Sequence, residues 1–255
     1  MDLKLTGLTA LVTGASRGIG FAVAQELARE GCNLHLCART AADLDAARAS
    51  IGQQFKVNVQ CHALDLSESQ NIGALAQRCD GIDILVNNAG GVPSGELLKV
   101  DEARWRKAWD LKVFGYINLT REIYGRMRER RRGVIINVIG VAGERPRQDY
   151  IAGTTGNAAL MAFTRTLGGD SLDYGVRVVG VNPGQVETDR LRERLETKAQ
   201  EAFGARGRWK ELLKNPLGQP QEIADLVAYL ASPRASFISG TIVTADAGRA
   251  ARHAD

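Results

Sequence analysis

A glycine-rich segment, TGASRGIG at residues 13–20, carries the clearest chemical signal in the sequence. Gly14, Gly18 and Gly20 have the spacing GxxxGxG, and they lie between a strand-like run and an amphipathic run. Glycines let backbone N–H groups approach a phosphate closely, and the N-terminus of a following helix favours its negative charge. Many glycine-rich segments are only tight turns, but this position between a strand and a helix favours a pyrophosphate site.

The elements that must position this loop follow a regular alternation of short apolar and longer amphipathic runs. Several apolar runs, such as DILVN and GVIINVI, are nearly continuous, as expected for parallel strands covered by helices on both faces. We therefore expect one α/β domain over residues 1–255, a Rossmann-type doubly wound parallel sheet. Strands are predicted at 8–13, 33–38, 57–64, 82–87, 134–139, 176–181 and 241–245, and helices at 18–30, 41–53, 68–78, 101–131, 154–173, 189–213 and 220–231.

Composition and charge exclude several classes of function. Apolar residues make up 44% and charged residues 24% of the chain, which is ordinary for a globular protein. The net charge of +4 does not indicate a nucleic-acid partner. The sequence shows neither a signal-peptide pattern nor a run of 18 apolar residues, so we expect a cytoplasmic protein without a membrane span.

The cysteines and histidines give no sign of a metal site in the sequence. The cysteines form no CxxC pair, which favours reduced thiols, and the histidines lack the spacing of metal ligands. We therefore predict no metal site. The residues concerned are Cys32, Cys37, Cys61, Cys79, His35, His62 and His253.

Four segments resemble motifs of the short-chain dehydrogenase/reductase superfamily, in the same order along the chain. TGASRGIG resembles the cofactor loop, and NNAG at 87–90 resembles the second motif, after the fourth strand. VNPGQVETD at 181–189 resembles the Pro-Gly segment, and ISGTIVTADAG at 238–248 resembles the final strand and its loop. The resemblance implies a nicotinamide-dependent oxidoreductase that acts on a carbonyl or alcohol group.

The resemblance also implies which residues hold the cofactor. The glycine loop would hold the pyrophosphate and ribose, Asp65 and Leu66 would line the adenine pocket, and the Pro-Gly segment would hold the nicotinamide end. The residues implied are Gly14, Ser16, Arg17, Gly18, Ile19, Gly20, Asp65, Leu66, Asn88, Ala89, Gly90, Pro183, Gly184, Val186 and Thr188.

The end of the second predicted strand indicates which nicotinamide cofactor is bound. An acidic residue at this position usually accepts hydrogen bonds from the ribose 2′-OH. Here the segment reads LHLCART, so Arg39 takes that position, and Arg17 of the glycine loop is near. Guanidinium groups suit a 2′-phosphate, which favours NADP(H) over NAD(H) unless Arg39 simply points into water.

The family usually carries an Asn-Ser-Tyr-Lys tetrad, in which the tyrosine is the acid/base. Tyr150 begins the segment YIAGT, but this register puts Thr154 in the lysine position and breaks the spacing to the Pro-Gly segment. Counting back from that segment places a different residue type in every position of the tetrad. In the order Asn, Ser, Tyr, Lys, the positions hold Lys112, Gly140, Gly153 and Asn157.

Two side chains remain as candidates for proton transfer, because glycine offers no acid. Lysine and asparagine have exchanged positions, so Lys112 could reach the substrate oxygen from the opposite helix, with Asn157 across the cleft. Burial would lower the pKa of Lys112 and make it an acid, although it could equally be a structural amine. Tyr150 could enter from the preceding loop or simply pack at its edge.

Three functions follow from an intact cofactor site with an altered tetrad. The first is an NADP(H)-dependent oxidoreductase with a relocated proton donor, which we rank first. The second is a nucleotide-binding regulatory protein without redox activity. The third is a non-redox lyase or isomerase that uses the space left by two glycines.

The resemblance further implies a homo-oligomer, a tetramer or dimer, formed through the long helices at 101–131 and 154–173 and through the terminal strand region. It places a substrate lid at 189–214, a charged segment that carries Phe203 and Trp209. These two aromatic residues could cover an apolar substrate or pack the lid onto the body.

Overall fold

Seven parallel strands form one sheet with the order β3-β2-β1-β4-β5-β6-β7 in the computed structural model. The structure describes residues 1–213 and 215–252; Lys214, the last residue of the predicted lid, and His253 lie outside them. The predicted fold class is confirmed, because helices cover both faces of this sheet. The strands are β1 (Thr9–Thr13), β2 (Asn33–Ala38), β3 (Val59–Ala63), β4 (Ile84–Asn87), β5 (Gly133–Val138), β6 (Val176–Pro183) and β7 (Ile242–Ala245).

Eight α-helices connect or follow these strands in the described residues, close to the predicted positions. None of the helices described is both long and apolar enough to cross a membrane. The helices are α1 (Gly18–Arg29), α2 (Ala41–Gln54), α3 (Ser69–Arg78), α4 (Glu102–Trp109), α5 (Gly115–Glu129), α6 (Ile151–Asp170), α7 (Asp189–Phe203) and α8 (Pro220–Ala231).

Three predicted helices differ in their details. The helix predicted at 101–131 is interrupted by a π-helical turn at Asp110–Phe114, in which the Gly115 N–H bonds to Asp110 O. The helix predicted at 189–213 ends at Phe203, because Gly204 adopts a left-handed conformation with φ of 69°. The helix predicted to begin at 154 begins at Ile151, directly after Tyr150. The π-turn matters for the site, because it carries Lys112.

A buried polar chain fixes the two central helices against the sheet. The Asn87 amide donates to Asn137 Oδ1 at 2.9 Å and to Thr120 Oγ1 of α5 at 3.0 Å. Asn137 in turn donates to Thr164 Oγ1 of α6 at 2.9 Å. Buried amides that are satisfied in this way define one arrangement of the packed elements, so the positions of α5 and α6 relative to β4 and β5 are set.

Candidate functional site

The order of the strands reverses between β1 and β4, and the carboxyl ends of these two strands form a crevice. Ligands bind at such a point in doubly wound sheets. Hydrogen bonds join the two strand ends: Thr13 Oγ1 accepts from the Asn88 and Ala89 N–H groups at 2.9 and 3.0 Å. The Asn88 amide donates to Thr13 O at 3.0 Å and to Gly14 O at 3.3 Å. The loop after β4 is therefore held against the glycine loop by these hydrogen bonds.

The glycine loop has a backbone conformation that other residues adopt only with strain. Gly14 has φ of 65° and Gly18 has φ of 58°. A Cβ at Gly14 would lie 2.9 Å from Ala89 Cα, so the two loops approach each other closely. Gly20, which was also predicted to contact the cofactor, does not line the cavity, and a side chain there would collide with Gly14 and Asn88. It permits close packing under the loop.

A cavity of about 1010 Å³ extends from the glycine loop and the end of β2 to the start of α7. Every other residue predicted to contact the cofactor lines this cavity. These residues are Gly14, Ser16, Arg17, Gly18, Ile19, Arg39, Asp65, Leu66, Asn88, Ala89, Gly90, Pro183, Gly184, Val186 and Thr188.

The charges at the β2 end of the cavity fit a phosphorylated nucleotide. Arg39 is exposed at the rim, and Arg17 lines the same wall. Burial alone would raise the pKa of Asp65, but hydrogen bonds from Ser67 and the positive charge of Arg39 outweigh it and lower that pKa. Asp65 is therefore anionic at neutral pH, and its two hydrogen bonds to Ser67 hold it in place. The glycine cradle and the guanidinium groups of Arg17 and Arg39 fit the phosphates of a nicotinamide cofactor.

Lys112 lies in the wall of the same cavity, at the far side from Arg39. Its ammonium group donates to Ile139 O at 2.7 Å and to Val138 O at 3.5 Å, beyond the end of β5. Its Nζ also lies 5.4 Å from the centroid of the Tyr116 ring, and the Tyr116 hydroxyl donates to the same Val138 carbonyl at 3.0 Å. An ammonium group has three N–H donors, so one donor of Lys112 is left for a ligand.

The pKa of Lys112 is strongly perturbed. Burial lowers it to about 7, and the positive charge of Arg190 acts in the same direction. Removing water from around an ammonium group penalises its charged form, which makes the group a better acid. A titratable group with a pKa near neutrality in a cleft is typical of functional sites.

Gly140, which we predict to take the position of the family's serine, has a backbone conformation in which any side chain would be strained. Its φ is 133°, and a Cβ there would lie 2.9 Å from Asn157 Nδ2. The Asn157 amide therefore occupies space next to the missing serine. Asn157 is buried and does not line the cavity, and no described group lies within hydrogen-bond distance of its Oδ1. The structure thus brings Lys112 and Gly140 to the cavity and leaves Asn157 behind them.

Gly153, in the position of the family's tyrosine, is covered by the ring of Tyr150. A Cβ at Gly153 would collide with that ring and lie 2.6 Å from its hydroxyl. Tyr150 therefore fills the vacated space from three residues earlier, and its ring also packs near Trp105 and Val92. Tyr150 also lines the cavity, so the structure brings this candidate to the same site as Lys112.

Sequence reasoning missed two arginines of α7 that face the cavity. Arg190 and Arg194 both line it, and their i, i+4 spacing puts them on one face of the helix. Arg190 donates to Gly90 O at 2.8 Å and to Val92 O at 3.2 Å. Burial raises the pKa of the Tyr150 phenol, and these two arginines oppose that rise. The spacing of the two arginines after Thr188 was the signal that could have revealed them.

The two aromatic residues of the predicted lid segment, Trp209 and Phe203, lie outside the cavity lining. Trp209 is buried against Leu191 and Leu195 of α7, and it does not line the cavity. Phe203 lies at the end of α7 under the guanidinium of Arg208, 4.5 Å from its ring centroid. Trp209 therefore packs against α7, Phe203 stays partly exposed, and neither ring reaches the cavity, whose α7 wall is polar except for Leu191.

Comparisons with known proteins agree with this geometry. The model of the family described as short chain dehydrogenase matches residues 8–199. The chain is 32% identical to nodulation protein G of Rhizobium sp. (strain N33), over 97% of this chain and 98% of that protein. It is also 32% identical to a 3-oxoacyl-[acyl-carrier-protein] reductase of Vibrio cholerae serotype O1, over 96% and 98%.

A solved structure is similar over the whole chain. L-sorbose reductase from Gluconobacter frateurii, complexed with NADPH and L-sorbose, has a TM-score of 0.92 and 29% identity to this chain. The match covers 99% of this chain and 100% of that one.

Proposed function

Because the chain belongs to the short-chain dehydrogenase/reductase family, we propose that it is an NADP(H)-dependent oxidoreductase in which Lys112 is the proton donor. The reaction is the interconversion of a carbonyl group and an alcohol. The observation that carries the proposal is the Lys112 amine, which lines the same cavity as the glycine loop and has its pKa lowered to about 7. The NADPH in the similar sorbose reductase supports the choice of cofactor.

In this proposal, different residues bind the cofactor and donate the proton. NADPH, when bound, supplies the hydride for the carbonyl carbon. The glycine loop and Arg39 bind the phosphates, and Thr188 and the Pro-Gly segment hold the nicotinamide end. The free N–H of Lys112 donates its proton to the carbonyl oxygen of the substrate. The backbone carbonyls of Ile139 and Val138 accept hydrogen bonds from the same amine and hold it in place. Cavity water then returns a proton to the neutral amine.

The substrate end of the cavity favours an anionic substrate. Arg194 is half-buried, and it makes no hydrogen bond or ion pair with any residue in the described part of the chain. Burial and then the nearby charge of Arg147 lower its pKa. A desolvated guanidinium without a partner is costly, and a carboxylate or phosphate on the substrate would satisfy it. We therefore propose a carbonyl substrate that carries such a group.

Steady-state oxidation of NADPH tests the proposed activity. The panel contains aldehydes, L-sorbose, 3-oxoacyl thioesters and 3-oxo acids paired with their methyl esters. We expect turnover of at least one 3-oxo acid, and Lys112→Met lowers kcat by about 10²–10⁴-fold, the contribution of a general acid. Lys107→Met is the matched control, because Lys107 is an exposed lysine at the rim of the same cavity.

Other outcomes distinguish the remaining functions. Tight NADPH binding without turnover of any carbonyl would favour a regulatory nucleotide-binding protein, and activity without a change in nicotinamide absorbance would favour a lyase or isomerase. The relatives do not favour either function. Full turnover by Lys112→Met would remove Lys112 as the donor.

The anionic group is tested separately on the paired substrates. Arg194→Gln should raise KM for the 3-oxo acid by about tenfold or more, because hydrogen bonds to charged groups contribute about 1.5–3 kcal/mol. It should leave the methyl ester unchanged. Arg192→Gln, an exposed arginine on the same helix, is the control. Equal KM changes for the acid and its ester would contradict the proposal.

The assembly proposed from the family is a dimer or tetramer through α4, α5 and α6. Exposed apolar side chains near these helices support it: Phe114 is 49% and Leu172 is 47% exposed. Light scattering after size exclusion measures the mass, and a monomer at micromolar concentration would contradict this proposal.

A further inference from the structure

Three potential metal ligands lie close together on the face of the sheet opposite to helix α1. None of them lines the cavity. His35 comes from β2, His62 from the edge strand β3, and Cys79 directly follows α3. In the strand register Cys37 is opposite His62, so His35, two residues before Cys37, lies on the same face as His62. The α3 helix packs on this face and brings the Cys79 thiol to the two imidazoles. Residues far apart in sequence therefore form one cluster.

The ligand atoms already have the separations of a metal site. His35 Nδ1 lies 2.9 Å from His62 Nε2, and Cys79 Sγ lies 3.3 Å from His35 Nδ1 and 3.7 Å from His62 Nε2. Metal–nitrogen bonds of about 2.0–2.1 Å and a metal–sulfur bond of about 2.3 Å place tetrahedral ligand atoms about 3.3–3.6 Å apart. The three observed distances lie within a few tenths of an ångström of these values.

The three side chains of the cluster are buried. Cys79 has no exposed surface, while His62 and His35 are 6% and 8% exposed, so the cluster lies just under the surface at the sheet edge. The two imidazole rings are nearly coplanar and face each other edge to edge, with centroids 5.2 Å apart and an interplanar angle of 5°.

A hydrogen bond between the imidazoles alone leaves the third group unexplained. One imidazole donates to the other, and this pairing requires no thiol at 3.3 and 3.7 Å from the same two nitrogens. All three potential ligand atoms lie within 4.8 Å of one another. Two imidazoles and a thiolate suit Zn²⁺ among the common divalent ions.

We propose that His35 Nδ1, His62 Nε2 and Cys79 Sγ bind one Zn²⁺ ion, with water as the fourth ligand. Binding displaces the thiol proton, which passes to the solvent, and no electron is transferred. The ion joins the edge strand β3 and its neighbour β2 to the end of α3. Because none of the three ligands lines the reaction cavity, its role is structural and independent of the proposed function.

Metal content and cobalt spectroscopy test this site. Purified protein is stripped with a chelator and titrated with Zn²⁺ or Co²⁺, and bound metal is counted by mass spectrometry. We expect one Zn²⁺ per chain, and for Co²⁺ a thiolate charge-transfer band with the intense visible bands of a tetrahedral ion. Cys79→Ser should lose the charge-transfer band. His62→Gln should weaken Zn²⁺ binding by more than the about 10–100-fold cost of losing an outer-shell partner.

Cys61→Ser is the matched control. Cys61 precedes His62 on β3, and its thiol donates to Leu44 O at 3.5 Å, away from the cluster. This variant should keep the metal and the spectrum of the wild-type protein. Zn²⁺ should also raise the melting temperature of the wild type and of Cys61→Ser, but not that of His62→Gln.

Several results would overturn the proposal. One is a wild-type protein that binds no more metal than His62→Gln. Another is a Co²⁺ complex without a thiolate band, which would indicate binding to surface carboxylates. If Cys79→Ser does not fold, the wild-type cobalt spectrum and His62→Gln decide the matter.

Discussion

The two ends of the reaction cavity are built by different means. At the end near β1 and β2, which we call the glycine half, backbone conformation makes the site: Gly14 and Gly18 have positive φ, and Asn88 supports their loop. At the other end, the lysine half, single side chains make it, with Lys112 in a π-turn and Tyr150 over Gly153. The glycine half keeps the glycine spacing that resembles the family's cofactor loop, while in the lysine half the predicted register has a different residue type at every position of the tetrad.

A binding site made by backbone conformation tolerates few substitutions, whereas a site made by single side chains can be rebuilt when several residues change together. In the glycine half, a side chain at 14 would meet Ala89 within 3.0 Å. In the lysine half, Gly140 and Gly153 have no side chains, and the space next to them is filled by Asn157 and by the Tyr150 ring, respectively. The side chains at the altered positions therefore pack against one another, as expected of a close-packed site and not of one that has accumulated unrelated substitutions.

The largest effect is expected from closing the glycine half. Gly14→Val must adopt φ of 65° and collide with Ala89, at a strain of about 1–3 kcal/mol before any loss of phosphate contacts. We expect NADPH affinity to fall by about 100-fold or more, measured by the fluorescence of bound NADPH. Gly73→Ala is the control, because a Cβ at Gly73 meets nothing within 4 Å. Unchanged affinity in Gly14→Val would remove the glycine loop from the cofactor site.

Restoring the family's serine should harm the lysine half. Gly140→Ser has the unfavourable φ of 133° and a Cβ 2.9 Å from Asn157 Nδ2, so we expect the free energy of unfolding to fall by about 1–3 kcal/mol. Urea denaturation measures it. Gly169→Ser on the exposed side of α6, where a Cβ meets nothing within 4 Å, should change it by less than half as much. A stable and more active Gly140→Ser would show that the usual tetrad was merely incomplete.

A moderate effect distinguishes the two cofactors. Arg39→Ala should weaken NADPH binding by about tenfold, since a charge-assisted hydrogen bond to phosphate contributes about 1.5 kcal/mol or more. NADH binding should not change, because NADH has no 2′-phosphate. Isothermal titration with both cofactors measures this, with Arg121→Ala on the outer face of α5 as the control. Equal losses for NADPH and NADH would mean that Arg39 does not read the 2′-phosphate.

The smallest effect is expected at Tyr150. Its hydroxyl is folded back over Gly153, so Tyr150→Phe keeps the ring that fills this space and removes only an oxygen. We expect kcat to change by less than about threefold, well below the effect of a general acid. A loss of 100-fold or more would identify Tyr150, rather than Lys112, as the donor.

The fold and the glycine half could be predicted from the sequence because both depend on local patterns. Continuous apolar runs indicate buried parallel strands, and the glycine spacing indicates the turn after β1. The register that places Lys112 in the tetrad also came from counting, and the structure puts Lys112 in the cavity wall.

Three features could not be predicted, because each depends on contacts between distant segments. The ring of Tyr150 folds back onto Gly153, which no spacing rule describes. Asn157 lies behind the wall rather than in it. His35 and His62 were expected to show no ligand geometry, but strand pairing between β2 and β3 brings them to Cys79. Spacing along the chain does not report such pairing.

The pH dependence of kcat/KM for NADPH-driven carbonyl reduction tests the role of Lys112 most directly. A lysine that donates a proton must be protonated, so the rate should be highest below its pKa and fall tenfold per pH unit above about 7. Lys112→Met should lack this step and bind NADPH with nearly wild-type affinity. A wild-type profile that is flat through pH 7 and falls only near pH 10, where a phenol ionises, would contradict the account.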